Sequence, residues 1–239
     1  MPTPLEFHFD FSSPYGYLGS EKIEALATRH GRTVEWRPML LGAAFKATGS
    51  QPLTTIPIKG DYTKRDLPRS ARFHRVELRM PDRFPIATQN PARIVVWQRE
   101  RERAGVSAAG EAAAEPRPEG RGDAQAPEAD APAPRLAVAS QGGRVPALVH
   151  ALYRAYFVAN RDISDPDVAA DVAATAGIDR AAARAAIDDP AVKDALRRDV
   201  DAALAKGVFG SPFVFADGEP FWGIDRFDQI DRWLADGGF

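Results

Sequence analysis

The sequence predicts an α/β protein in which a mixed four-stranded sheet is assembled from the two ends of the chain, with an all-helical domain threaded between them. Three observations carry this prediction. Residues 1–42 read as strand, helix, strand, and residues 207–239 as strand, tight turn, strand, helix. The stretch between them shows helical spacing and repeated capping signals but no strand pattern.

At the N-terminal end, Leu5, Phe7, Phe9 and Phe11 fall on one side of an extended run, with Glu6, His8 and Asp10 on the other. That period of two, with bulky side chains, is the mark of a strand. Ser12 or Ser13 then supplies an N-cap, and Pro14 suits a first helical turn because it has no N–H to lose. The helix is predicted from Pro14 to His30 and ends at Gly31. "TVEWRPM" (33–39) reads as a second strand stopping at Pro38, so the unit is a parallel β-α-β with a right-handed crossover. At the other end, Phe213 to Ala216 is a short strand and Asp217-Gly218 is a hairpin turn. A further strand follows around Pro220 to Gly223. Asp225 is expected to cap a helix from about Arg226 to Ala235, with Asp228 in a first turn whose dipole favours an acid. A β-α-β unit joined to a β-β-α unit is a thioredoxin-like fold, placed at 1–42 and 207–239.

Residues 43–206 form the expected insertion. "DYTKRDLPRSARFHRVELRM" reads as a helix interrupted near Pro68, and "NPARIVVWQRERERAG" as another. Leu148, Leu152, Tyr156 and Ala159 make a buried stripe at spacings of three and four. Residues 164–177 open with a capping pattern and close at a glycine, and "DRAAARAAI" and 189–207 each start at an aspartate. Segment 104–143 is dominated by Ala, Pro, Gly and Glu. It has too little apolar surface to offset its ordering entropy and reads as a flexible loop between two helices, or in part a frayed Ala-rich helix.

Composition narrows the function. A net charge of −2 gives no reason to expect nucleic acid, whose binders carry a positive excess. With no cysteine, the chain has no disulfide, no thiolate metal site and no thiol chemistry of its own, which excludes a dithiol oxidoreductase. His8, His30, His74 and His150 lie scattered without ligand spacing, so no metal site is expected. No apolar stretch of about 18 residues spans a membrane. "MPTPLEFHFDF" has no basic region followed by an apolar core, so the cytoplasm is the expected location.

Three short segments can carry chemistry. In "FDFSSPYGYL", Ser13 stands at a helix start, where unpaired N–H groups and the helix dipole stabilise an anion. A hydroxyl is ill-suited to being the nucleophile there but well suited to holding a thiolate delivered from outside. Equally, both serines serve as caps alone. In "VFGSPFVF", Pro212 enters a strand where a cis bond would turn the Ser211 backbone outward, to pair with an extended peptide. An ordinary trans proline at an edge strand is the other reading. In "WGIDRF", Asp225 and the amides after it offer a carboxylate and N–H donors side by side, a match for an amino-acid zwitterion, or else a simple cap.

Taken in order, "FDFSSPYGYL", "KATG", "DYTKRDL", "FVANRDISDP", "VFGSPFVF" and "FWGIDRF" resemble the 2-hydroxychromene-2-carboxylate isomerases. That family is similar to the kappa-class glutathione transferases and, more remotely, to DsbA-like oxidoreductases. The resemblance covers nearly the whole chain outside 104–143. The resemblance implies glutathione as cosubstrate, with Ser13 holding and activating its sulfur. Ser211, before Pro212, would pair its backbone with the cysteinyl part, and Gly223, Ile224, Asp225 and Arg226 would bind the γ-glutamyl end. Phe45, Tyr62, Lys64 and Asn90 fall in segments that line the family's pocket for a small aromatic carboxylate. The implied reaction interconverts 2-hydroxychromene-2-carboxylate and trans-o-hydroxybenzylidenepyruvate, in a homodimer. A kappa-type transferase or peroxidase and a non-catalytic peptide-binding module are the alternatives.

Overall fold

The computed structural model describes residues 2–105 and 143–239. Four strands form one sheet in the order β2-β1-β3-β4: β1 (Leu5–Phe9), β2 (Val34–Pro38), β3 (Phe213–Ala216) and β4 (Glu219–Trp222). β1 runs parallel to β2, pairing Phe7 with Trp36, and antiparallel to β3, pairing Phe7 with Val214. α1 (Pro14–Arg29) makes the crossover between the parallel pair, and α9 (Phe227–Asp236) closes the chain. The thioredoxin-like arrangement expected of the two ends is therefore formed, with β1 and β3 at its centre.

The alternation of β1 sorts its side chains onto two different faces. Leu5, Phe7 and Phe9 are fully buried in the large core with Leu18 and Ile23 of α1 and Ile230 of α9. Trp36 meets both phenylalanines edge-on, at centroid distances of 5.2 and 5.8 Å. Each such ring removed from water contributes roughly 1.5–3 kcal/mol. The other face is covered as well: Phe213 and Phe215 pack with Met39, Ala203 and Val208, so His8 and Asp10 are buried too.

Among the described residues the regular elements of the insertion are all helices: α2 (Leu41–Thr48), α3 (Lys59–His74), α4 (Gln89–Arg103), α5 (Arg144–Phe157), α6 (Pro166–Thr175), α7 (Arg180–Asp188) and α8 (Pro190–Ala205), with a short 3₁₀ turn at Leu53–Thr55. Asp165, Asp179 and Asp189 cap α6, α7 and α8 through their carboxylates. α3 differs from expectation because it runs through Pro68 without a break. The proline ring lies on the exposed side, where the carbonyl it leaves unbonded meets solvent. The segment expected to be a loop, 104–143, lies outside the described residues over 106–142.

α5 brings the insertion onto α1. His150 Nε2 lies 2.7 Å from Glu24 and Arg154 donates to Glu21 at 2.7 Å. Burial opposes charge on His150, but the Glu21 and Glu24 carboxylates outweigh it and push the imidazole up to about 9.

Candidate functional site

The C-terminal end of β1, the first turn of α1 and the loop before β3 meet at one corner. Ser13 is the N-cap of α1, with extended backbone at φ −93° and ψ 111°. Its Oγ accepts the Gly16 N–H at 3.0 Å and donates to the Ser211 carbonyl at 2.8 Å. The Ser211–Pro212 peptide bond is cis, the first of the two readings the sequence left open. One expectation is corrected here: the Ser211 carbonyl does not face outward but is the acceptor for Ser13. Ser12, the alternative cap, is spent elsewhere, since both its N–H and its hydroxyl donate to Asp10 Oδ1 at 2.7 and 2.8 Å.

Sequence reading gave Asp10 no role beyond the polar side of a strand, yet it is the hub of this corner. Its carboxylate also accepts from the Leu41 N–H at 2.7 Å and the Thr88 hydroxyl at 3.1 Å, tying the starts of α2 and α4 to α1. Its own N–H donates to Ser211 Oγ at 3.0 Å, and its carbonyl accepts from Ser13 N–H and the Tyr153 hydroxyl, both at 2.9 Å. Burial pushes the Asp10 carboxyl up from the ordinary range, while the donors around it pull the other way. A carboxylate in an apolar strand just before an N-cap was the one available signal for it. Tyr153 offered none, being one more aromatic on an amphipathic helix.

Gly16 sets how tightly the corner closes. A Cβ there would lie 2.5 Å from Ser211 Oγ and 2.8 Å from the Tyr153 hydroxyl, inside contact distance. One turn on, Gly19 lies against the ring of Pro212 and the tip of Phe227, which joins α1 to α9.

The "WGIDRF" turn hangs from the same loop. Gly223 adopts φ 99°, a conformation open to glycine, and its N–H donates to the Pro212 carbonyl at 3.0 Å. Ile224–Arg226 form a 3₁₀ turn that packs on α1, with Ile224 buried. The expected cap is corrected: Asp225 sits inside this turn, Arg226 is at the N-cap position of α9, and neither makes a capping bond. The physical reason is that Ile224–Arg226 close first as a 3₁₀ turn, with the Arg226 N–H donating to the Gly223 carbonyl at 3.2 Å, so α9 starts only at Phe227. Asp225 is left 70% exposed, with the Arg226 guanidinium 3.7 Å away.

The four residues expected at the aromatic pocket lie on three helices, α2, α3 and α4. Phe45 is half-buried on α2. Tyr62 is exposed on α3, its hydroxyl 3.3 Å from Asp66 and 3.0 Å from Arg69. Lys64 spends its charge on Asp61 at 3.1 Å, and Asn90 donates its amide to the Ser164 carbonyl at 2.8 Å. α3 nonetheless reaches the corner by another residue: the Tyr15 hydroxyl, in the first turn of α1, donates to Asp66 at 2.6 Å.

Chemically, the corner holds an adjustable donor at a helix start. The Ser13 hydroxyl has only to rotate from a neutral carbonyl towards an anion. A bond to an ion is about twice as strong as a neutral one, so a thiolate placed there would win the proton of that bond. Asp225 and Arg226 provide a carboxylate and a guanidinium with no structural duty in helix capping.

Comparison with known proteins places this geometry. The chain matches the DSBA-like thioredoxin domain over residues 4–114 and 124–235. It is 27% identical over 238 residues to a 2-hydroxychromene-2-carboxylate isomerase of Sphingobium xenophagum, covering 99% of this chain and all of that one. It is 25% identical over 243 aligned positions to the human glutathione S-transferase kappa 1, covering 99% and 92%. A solved 2-hydroxychromene-2-carboxylate isomerase superposes with a TM-score of 0.71 at 21% identity, over 97% of this chain and 94% of the other. The resemblance read from the motifs is thus met along the full length. The chain belongs to the DSBA-like thioredoxin domain family.

Proposed function

We propose that this protein is a glutathione-dependent isomerase interconverting 2-hydroxychromene-2-carboxylate and trans-o-hydroxybenzylidenepyruvate. The observation that carries the reading is a serine hydroxyl at the start of α1, bonded to the cis-Pro loop, in a chain without cysteine. Whole-length likeness to proteins named for this reaction supports it. Bound glutathione would supply a thiolate that adds to the conjugated system, frees the double bond to rotate and leaves again, so none is consumed.

The chain's own share is binding and orientation. Ser13 donates to the sulfur and, with the dipole of α1, holds it ionised below its ordinary pKa of about 8.5. Asp10, buried beneath, fixes Ser12, Ser13 and Ser211 through its own backbone and carboxylate. Asp225 receives the ammonium of the γ-glutamyl end, and the backbone from Gly223 to Arg226 its carboxylate. The residues fit this role because Asp225 is exposed and free of any cap, and Ser13 carries a rotatable O–H. The same reading makes the protein a cytoplasmic homodimer acting on a small aromatic carboxylate, which sedimentation would check.

A kappa-type transferase or peroxidase is the second reading, favoured by likeness to the human kappa enzyme. One assay separates them. Hydroxychromene carboxylate should isomerise without loss of glutathione, whereas conjugation of a standard electrophile with glutathione consumed selects the transferase. No heat on titration with glutathione would leave a peptide-binding module.

A further inference from the structure

Asp66 gathers donors on α3 as Asp10 does beneath Ser13. It accepts the Tyr15 hydroxyl, two positions past Ser13, at 2.6 Å and the Ser70 hydroxyl at 3.2 Å. It also accepts from the Tyr62 hydroxyl at 3.3 Å and from Arg69 Nη2, which donates to the Tyr62 oxygen as well at 3.0 Å. The face of α3 that carries Asp66 is therefore the face turned to the start of α1. On a helix the positions four before and three after share that face, and here they hold Tyr62 and Arg69. Lys64, the cation expected in the aromatic pocket, stands two positions from Asp66 and so off this face.

Tyr62 and Arg69 are held in place yet open to solvent. Tyr62 is 60% exposed and the Arg69 side chain 59% exposed. The guanidinium lies 5.7 Å from the centre of the Tyr62 ring. Only its Nη2 is engaged, and among the described residues Nε and Nη1 have no acceptor. Those N–H groups are accessible donors for an arriving carboxylate, and a bond between two ions is of the stronger kind. Asp61 and Asp66 are the only acids of α3, against five Lys and Arg, so the field of the helix favours an anion. Beside the guanidinium, the Tyr62 ring offers a flat apolar surface.

Given the isomerase reading, we propose that Arg69 anchors the carboxylate of the aromatic substrate and that the Tyr62 ring flanks its aromatic part. The Tyr15–Asp66 bond ties both to the helix that Ser13 caps.

The test uses the whole protein saturated with glutathione and titrated by calorimetry with 2-naphthoate, an unreactive flat aromatic carboxylate. The neutral 2-naphthamide runs in a parallel arm. Wild type should bind the carboxylate more tightly than the amide. Arg69→Gln, at an exposed position, should weaken naphthoate about tenfold, the scale of a lost charged hydrogen bond, with naphthamide and glutathione affinities unchanged. Tyr62→Leu should weaken both naphthyl ligands alike. In the isomerase assay Arg69→Gln should raise KM for 2-hydroxychromene-2-carboxylate by the same factor. No naphthoate binding, or equal affinity in wild type and Arg69→Gln, would overturn the proposal with the isomerase reading intact. So would a loss confined to glutathione, which would give Arg69 to a carboxylate of the tripeptide. A wild type without turnover that still shows the naphthoate pattern would break the isomerase reading and keep Arg69 as the anchor of an aromatic carboxylate.

Discussion

α1 and α9 both begin beside the cis-Pro loop, and their first turns are built in opposite ways. At α1 the polar side chains are spent inside the protein: Ser13 on Gly16 and Ser211, Ser12 on Asp10, Asp10 on α2 and α4. At α9 nothing caps the helix, and Asp225 and Arg226 stand exposed with only a loose contact between them. The first start is a rigid frame in which one hydroxyl can turn. The second is a pair of charges whose partners must come from elsewhere. On the proposed function, the first start would position the sulfur and the second would supply affinity for the γ-glutamyl end.

The largest break in this comparison is Gly16→Ala. Its methyl would fall inside contact distance of Ser211 and Tyr153, so the corner must open. Overpacking of this kind costs roughly 1–3 kcal/mol; the expected outcome is a lower melting temperature by calorimetry together with loss of isomerase turnover. Ser13→Ala comes next. Loss of the cap costs about 1 kcal/mol, and loss of a donor to the reacting atom lowers kcat about 100-fold. Turnover at the wild-type rate would remove Ser13 from the mechanism. Asp225→Asn addresses the other start alone. It should weaken glutathione binding about tenfold, the scale of a lost charged hydrogen bond, with stability unchanged within about 0.5 kcal/mol. A stability loss without an affinity loss would make Asp225 structural after all.

Titration gives the gentlest separation, because the two helices are tied down by groups of opposite sign. His150, raised to about 9 by Glu21 and Glu24, stabilises the α1–α5 contact fully below its unfolded pKa of 6.5. That contribution is lost as pH rises from 6.5 through 9. Asp231 of α9 is lowered by His30 and Arg29, so its contribution is present above 3.8 and lost as pH falls below it. Melting temperatures across pH should therefore fall on both limbs. His150→Gln should flatten the alkaline one and Asp231→Asn the acid one.

Much of the frame was legible along the chain. Strand β1 and the turn at Asp217-Gly218 were readable because alternation and turn chemistry act over a few residues. The start of α1 was readable to within Ser12 or Ser13, and the choice fell to Asp10, which claims Ser12 from two positions upstream. Asp225 was misread because a capping pattern looks the same whether the following residues enter an α-helix directly or close first as a 3₁₀ turn. Lys64 and Asn90 were placed by segment; Lys64 pairs with Asp61 one turn back on its own helix, a local spacing, whereas the Ser164 partner of Asn90, 74 positions away, was decided by tertiary packing.

The chain by itself determined that any thiol chemistry here uses a sulfur from outside, since it has no cysteine and sets a serine at the helix start. It also placed Leu5, Phe7 and Phe9 on one face of β1, the face the sheet had to bury. Only the tertiary structure decided that Ser13 donates to Ser211, that Asp10 joins three helix starts, and that Asp225 is left unspent. The reason is range. Propensity and capping are local, whereas a buried hydrogen bond between residues 13 and 211 exists only once both ends of the chain share one sheet.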